Sequence, residues 1–207
     1  MSAEIVRLGS ADYTQVFEAM KAHNARAAAD DLPDQFWQVE HPPVFTLGLA
    51  GKREHLLRDI GVPVVGSDRG GQITYHGPGQ VVVYMLIDLK RAGLGVRELV
   101  HRIEQAVIDL LAGHGVAARR RAGAPGVYVG PADDEAKIAA LGLRVKHGRT
   151  YHGVSLNVDM DLSPFAAINP CGYSDLRVTQ TRDLGIDLPP EAICRQFTDA
   201  LQRAIYG

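Results

Sequence analysis

The chain has 207 residues but only two cysteines, Cys171 and Cys194, and one tryptophan; aromatic residues make up 6 %. Two thiols allow one disulfide at most, and a chain of this size builds its core without one. Met1 to Leu8 lacks the basic start and apolar stretch of a secretory signal, so both cysteines read as free thiols. Neither sign of charge dominates: 22 basic residues stand against 24 acidic ones, a formal net charge of −2. That balance points to neither nucleic acid nor an anionic membrane as partner. The longest apolar run, which begins at Val81, is far too short to span a bilayer. Eight histidines are present, yet there is no Cys-x-x-Cys or His-Glu-x-x-His, so no metal site is expected. A Gly-Lys-Ser/Thr ending and a Gly-x-Gly-x-x-Gly fingerprint are also missing. With no heptad pattern either, the expectation is a cytoplasmic monomer.

What is present is 46 % apolar sequence, enough for the core of a single domain spanning residues 1–207. Glu4 to Leu8 predicts a strand. Asp12 with Gln15 resembles a capping box opening a helix toward Ala29. Phe36 to Glu40, Val44 to Leu47 and Val62 to Val65 read as short strands, and β-branched Gln80 to Leu89 as a buried central one. Val96, Leu99, Val100, Ile103, Val107, Leu110 and Leu111 recur at helical spacing before Gly113. Gly126 to Val129, Ala136 to Lys146 and Thr150 to Val158 predict strands, and Pro190 to Tyr206 a last helix. The helices do not alternate regularly with strands, so the reading is an α/β class of α+β type with a mixed sheet.

The two cysteines have different surroundings. Cys194 shares a helix face with Phe197 and Leu201, the setting of a buried structural thiol. Cys171 sits in Asn169-Pro170-Cys171-Gly172-Tyr173, where proline and glycine impose a turn. A nucleophilic thiol needs a base or cation nearby. Pattern alone leaves His76, His152, Lys137 and Lys146 open as that partner, with a cysteine–histidine pair the default. The densest unusual segment is Arg69 to Gln80. Gly77-Pro78-Gly79 is explained as a structural turn. Arg69-Gly70-Gly71 is not, and suits close backbone approach to a ligand. Arg119-Arg120-Arg121 is a short basic run of the kind that ends a solvated strand.

Taken in order, six motifs resemble the octanoyltransferases of lipoate biosynthesis. They are His41 to Gly48, Arg69 to Gln80, Pro125 to Val129, Lys137 to Gly142, Tyr151 to Asn157 and Ile168 to Gly172. The resemblance implies a mixed sheet with packed helices and a smaller second sheet, shared with the catalytic domains of biotin and lipoate protein ligases. It implies an acylated nucleophile at Cys171 and a lysine at Lys137 that stabilises its thiolate, with His152 in support and no cofactor. It implies acyl-chain contacts from Arg69, Gly70, Gly71, Gln72, Ile73, Thr74, Tyr75 and His76, from Ala140, Leu141 and Gly142, and from Gly153, Val154 and Ser155. The donor would be octanoyl-acyl carrier protein, and the acceptors lipoyl domains of 2-oxoacid dehydrogenases and the glycine-cleavage H protein. An oxyanion hole is expected near Gly77 or Gly172. Arg58 and Arg119 to Arg121 are expected to steer the acidic carrier.

Overall fold

The computed structural model describes residues 2–169 and 176–207. An eight-stranded mixed sheet forms the centre. Its strands are β1 (Glu4–Ser10), β2 (Gln35–Glu40), β6 (Gln80–Leu86), β7 (Ala118–Arg119), β8 (Val127–Val129), β9 (Ala136–Lys146), β10 (Arg149–Asn157) and β11 (Arg177–Val178). The order across the sheet is β1-β2-β6-β10-β9-β8-β7, with β11 paired to β9. The pairs β1/β2 and β11/β9 are parallel and the others antiparallel. A smaller sheet, in the order β4-β3-β5, combines β3 (Val44–Leu47), β4 (Val64–Gly66) and β5 (Ile73–His76).

Three helices cover the large sheet. α1 (Tyr13–Asp30) starts where the Asp12 carboxylate accepts from the Gln15 N–H at 3.0 Å, the capping expected from the sequence. It lays Tyr13, Val16, Phe17 and Met20 against Trp37, Val39, Val82, Tyr84 and Leu86. α2 (Val96–Gly113) and α3 (Pro190–Tyr206) cover the other face, where Val81, Val83, Met85, Leu99, Ile103, Val107, Phe197 and Leu201 make the main core. Strand β6 lies between the two layers, so all seven of its residues are buried. This double burial explains its continuous apolar run.

The mixed sheet, the second sheet and the three helices are as expected. Strand ends differ by one to three residues, and β6 stops at Leu86 rather than Leu89. Three elements have no clear signature in the sequence. β5 hides inside the glycine-rich stretch, and β7 and β11 are only two residues long, too short for any periodicity.

Candidate active site

The end of β5 and the strands β6, β9 and β10 surround a cavity of about 60 Å³. It is lined by Tyr13, Arg69, Gly71, Gln72, Ile73, Thr74, His76, Val82, Tyr84, Lys137, Ala140, Leu141, Gly142, His152, Gly153, Val154 and Ser155. A second cavity of about 20 Å³ shares Thr74, Lys137, Ala140 and Ser155 with it and adds Gln80, Asn157, Phe165 and Val178. The three stretches that the resemblance marks as acyl contacts therefore meet in space, although they lie far apart in the chain. Two of their residues do not line this cavity. Gly70 lies against β9, its N–H donating to Leu143 O at 3.0 Å. Tyr75 turns the opposite way, as alternation along β5 requires, and its ring packs on Phe45 and Phe165.

Glycines let the loop and the sheet approach. Gly142 of β9 pairs with Gly153 of β10. A Cβ on Gly142 would come within 2.6 Å of Gly70 O, and one on Gly153 would collide with Val83 O of β6. Arg69 secures the loop from below. Its Nε donates to Thr46 Oγ1 at 3.1 Å, Nη1 to Gly70 O at 3.0 Å, and Nη2 to Thr46 O at 2.6 Å and Gln72 O at 2.7 Å. A guanidinium so engaged shapes the wall of the cavity.

Behind the cavity stand five polar rings, Tyr13, His41, His76, Tyr84 and His152, with neighbouring centroids 5.3 to 6.2 Å apart. Their hydrogen bonds fix the imidazole tautomers. His41 Nδ1 donates to Ala11 O at 2.7 Å, so its Nε2 accepts from the Tyr84 hydroxyl at 2.7 Å. His76 Nδ1 donates to Gln80 Oε1 at 2.7 Å. His152 Nε2 donates to Asp68 Oδ1 at 2.8 Å, and Tyr151 donates its hydroxyl to Asp68 Oδ2. Strict alternation would send adjacent rings to opposite faces. The left-handed φ of 63° at His152 lets Tyr151 and His152 reach the same carboxylate.

Burial controls the protonation of these rings. It pushes His76 down to about 3, with the neighbouring His41 adding to the effect. It pushes His152 down to about 4 against the opposing pull of Asp68. Burial also lowers His41 and raises Tyr84 well above its ordinary value. For Asp68, burial alone would raise the carboxyl, but donation from Tyr151 and His152 outweighs it and holds the group below its usual range. The histidines are thus neutral at physiological pH, and His76 and His152 are weak bases.

Lys137, the second residue of β9, is different. Its side chain is 4 % exposed. Nζ donates to Pro125 O at 2.9 Å and lies 5.3 Å from the centroid of the Tyr128 ring. Gly126, at φ 138°, makes room for it. A Cβ there would overlap Lys137 Cε and come within 2.6 Å of Ala139 O. Lys146, the other lysine considered, is exposed at the far end of β9.

Cys171 and Gly172 lie outside the described residues. The chain before them is anchored by Asn169 N donating to His55 O at 2.8 Å, and the chain after them by β11, where Val178 pairs with Lys137. Cys194 is half-buried on α3 against the main core, and burial raises its thiol. Two other segments singled out in the sequence have local partners. Gly77 lines neither cavity, and the Gly79 N–H is not open, being taken by Glu40 Oε2 at 2.8 Å. The basic run is not a set of open cations either. Arg119 and Arg121 both pair with Glu135 at 2.9 Å, and Arg120 pairs with Glu104 at 3.1 Å. Among the described residues no group of three or more His, Cys, Asp or Glu side chains could hold a metal, and no helix is long and apolar enough to cross a membrane.

Sequence reasoning missed Tyr13, Val82 and Tyr84 as lining residues and Asp68 as the anchor of His152. The first three look like core positions of a helix and a strand. Asp68 carries no signal beyond standing next to Arg69.

Residues 12–202 match the family described as lipoyl protein ligase A/B catalytic domain. Among solved structures, a bipartite lipoate protein ligase from Thermoplasma acidophilum has a TM-score of 0.73 at 15 % identity, over 100 % of this chain and 84 % of that one. A biotin protein ligase from Aquifex aeolicus has 0.59 at 14 % identity, over 98 % and 70 %. The fold is that of the lipoate and biotin ligase catalytic domains. Within that class, the octanoyltransferase of Thiobacillus denitrificans is 63 % identical over 206 residues, covering 100 % of this chain and 92 % of the relative. The chain belongs to the octanoyltransferase family, and is an acyltransferase of lipoate biosynthesis.

Proposed function

We propose that this enzyme takes its octanoyl group from acyl carrier protein, holds it as a thioester on Cys171, and delivers it to the lysine ε-amine of a lipoyl domain. Lys137 is the acid–base partner. The observation that carries this reading is a buried ammonium, hydrogen-bonded to Pro125 O, on the wall shared by two adjoining cavities. The weakly basic histidines beside it support the lysine over a cysteine–histidine pair. Chain connectivity adds to this, since Cys171 precedes by seven positions the Val178 that pairs with Lys137.

In the first half-reaction the Cys171 thiolate attacks the thioester carbonyl carbon. As the tetrahedral adduct collapses, the carrier's C–S bond breaks and Lys137 gives its proton to the departing thiolate. In the second, the incoming amine attacks the acyl-Cys171 carbon. Neutral Lys137 takes the amine proton, the C–S bond to Cys171 breaks, and thiolate and ammonium are restored. An amide replaces a thioester, so the sequence runs downhill without ATP. The Val82 side chain, the glycine row and the backbone at Ile73, Leu141 and Val154 wall the space for the acyl chain. His152 supports that wall through Asp68.

The test is intact-mass spectrometry after incubation with octanoyl-acyl carrier protein, with no nucleotide present. One octanoyl adduct is expected in the wild type and in Cys194→Ser, and none in Cys171→Ser. An adduct surviving in Cys171→Ser, or transfer to a lipoyl domain strictly dependent on added ATP, overturns the reading.

A further inference from the structure

The peptide unit between Pro125 and Gly126 is engaged at both ends. Its carbonyl oxygen accepts from Lys137 Nζ at 2.9 Å. Its N–H donates to Glu104 Oε1, also at 2.9 Å. Glu104 belongs to α2 and is 7 % exposed. Its other oxygen pairs with Arg120 Nε at 3.1 Å. Arg120 is tied back to the same helix by Nη2, which donates to His101 O at 2.9 Å and Gln105 Oε1 at 2.8 Å. The Tyr128 hydroxyl holds the preceding carbonyl of Ala124 at 3.0 Å. A nearly buried carboxylate on a helix whose other inward-facing residues are apolar is costly unless its contacts repay desolvation.

We infer that Glu104 is a positioning residue for Lys137, acting through the Pro125–Gly126 peptide. The carboxylate fixes the rotation of that peptide plane, so its carbonyl points at the ammonium. It also polarises the amide, because hydrogen bonds in a chain strengthen one another in a low-dielectric interior. The conformation requires glycine at position 126, where φ is 138° and a side chain would displace the lysine. Negative charge on α2 thus reaches the acid–base group across one peptide bond, without Glu104 touching the substrate. The inference rests on the assignment of Lys137 above.

The experiment compares Glu104→Leu, Glu104→Gln, Lys137→Met and the double variant Lys137→Met/Glu104→Leu, all in a Cys194→Ser background. Two readouts are taken: the pH profile of Cys171 alkylation by iodoacetamide, and kcat and KM for transfer, with melting curves to confirm folding. Glu104→Leu should lower kcat by about tenfold, the scale of a lost supporting partner, leave KM within about twofold, and move the alkylation profile to higher pH in the direction of Lys137→Met. Glu104→Gln keeps an acceptor for the Gly126 N–H, so its profile should fall between wild type and Glu104→Leu. The double variant should be no worse than Lys137→Met alone, since both act through one group. A purely structural role would give additive losses and an unmoved profile, and either result overturns the inference. If Glu104→Leu does not fold, a wild-type profile in Glu104→Gln overturns it. An unmoved profile in Lys137→Met removes the underlying assignment and this inference with it. Failure confined to the Glu104 variants leaves Lys137 standing.

Discussion

The two faces of the large sheet are built from different materials. Toward α2 and α3 the contacts are Val81, Val83, Met85, Leu99, Ile103, Val107, Phe197 and Leu201, with Glu104 and the Gln38–Thr198 hydrogen bond as buried polar exceptions. Toward α1 and the small sheet stand Tyr13, His41, His76, Tyr84 and His152, each with a hydrogen-bond partner. The first face gains free energy from apolar area removed from water. The second gives up part of that gain to fix ring tautomers and shape a cavity. Apolar core and polar cavity are thereby divided between opposite sides of one set of strands, and β6 contributes to both with alternate residues.

That division is open to test. The largest effect belongs to the site: Lys137→Met should lower acyl transfer about 10²–10⁴-fold, the range for a positioned acid–base group, while its melting temperature stays close to wild type. A thermal shift of the size seen for core variants would blur the contrast. Next comes the apolar face, where Phe197→Ala should cost about 3–5 kcal/mol of stability and leave kcat unchanged in the protein that remains folded. Urea unfolding and steady-state kinetics read the two quantities separately. The third effect is pH-dependent. His152 falls from its ordinary 6.5 to about 4 on folding, so below pH 6.5 the unfolded chain binds protons that the native ring refuses. Stability should therefore fall as pH drops from about 6.5 toward 4, by up to about 3 kcal/mol for this residue. His152→Gln should flatten part of that slope, and an equally steep slope would show that the ring does not enter the native state neutral. The smallest is Tyr84→Phe, which leaves His41 Nε2 without its donor at a cost of about 1–2 kcal/mol. Its KM for the octanoyl donor should change more than that of Phe197→Ala, and the reverse order would break the division of labour.

The sequence made the apolar face legible and the polar face largely opaque. The helical spacing of Leu99, Ile103, Val107 and Leu110 announces α2, and the β-branched run from Gln80 announces β6, because burial on a regular element leaves a periodic trace. The polar face has no such trace. Tyr13 and Tyr84 sit in ordinary helix and strand patterns. Asp68 gives no sign that it will accept from two rings of β10. His152 reaches it only through a left-handed φ that no spacing encodes. The site was readable as an ordered set of motifs and not as geometry. Lys137 came from the resemblance alone, and the pattern of residues favoured a histidine. Arg119 to Arg121 show the reverse hazard: as a string they look like open charge, while in the fold Glu135 and Glu104 answer all three.

The glycine row carries a consequence for anyone seeking to retarget the enzyme to another acyl group. Gly70, Gly142 and Gly153 bring backbone against backbone, with no side chain to trim. That wall can only be damaged by substitution, since even a methyl group at Gly142 or Gly153 meets main-chain oxygen. The Val82 side chain of the neighbouring strand faces the same cavity and can be shortened or lengthened one carbon at a time. On the proposed reading, a library aimed at new chain lengths belongs there, and the glycines are best left invariant from the outset.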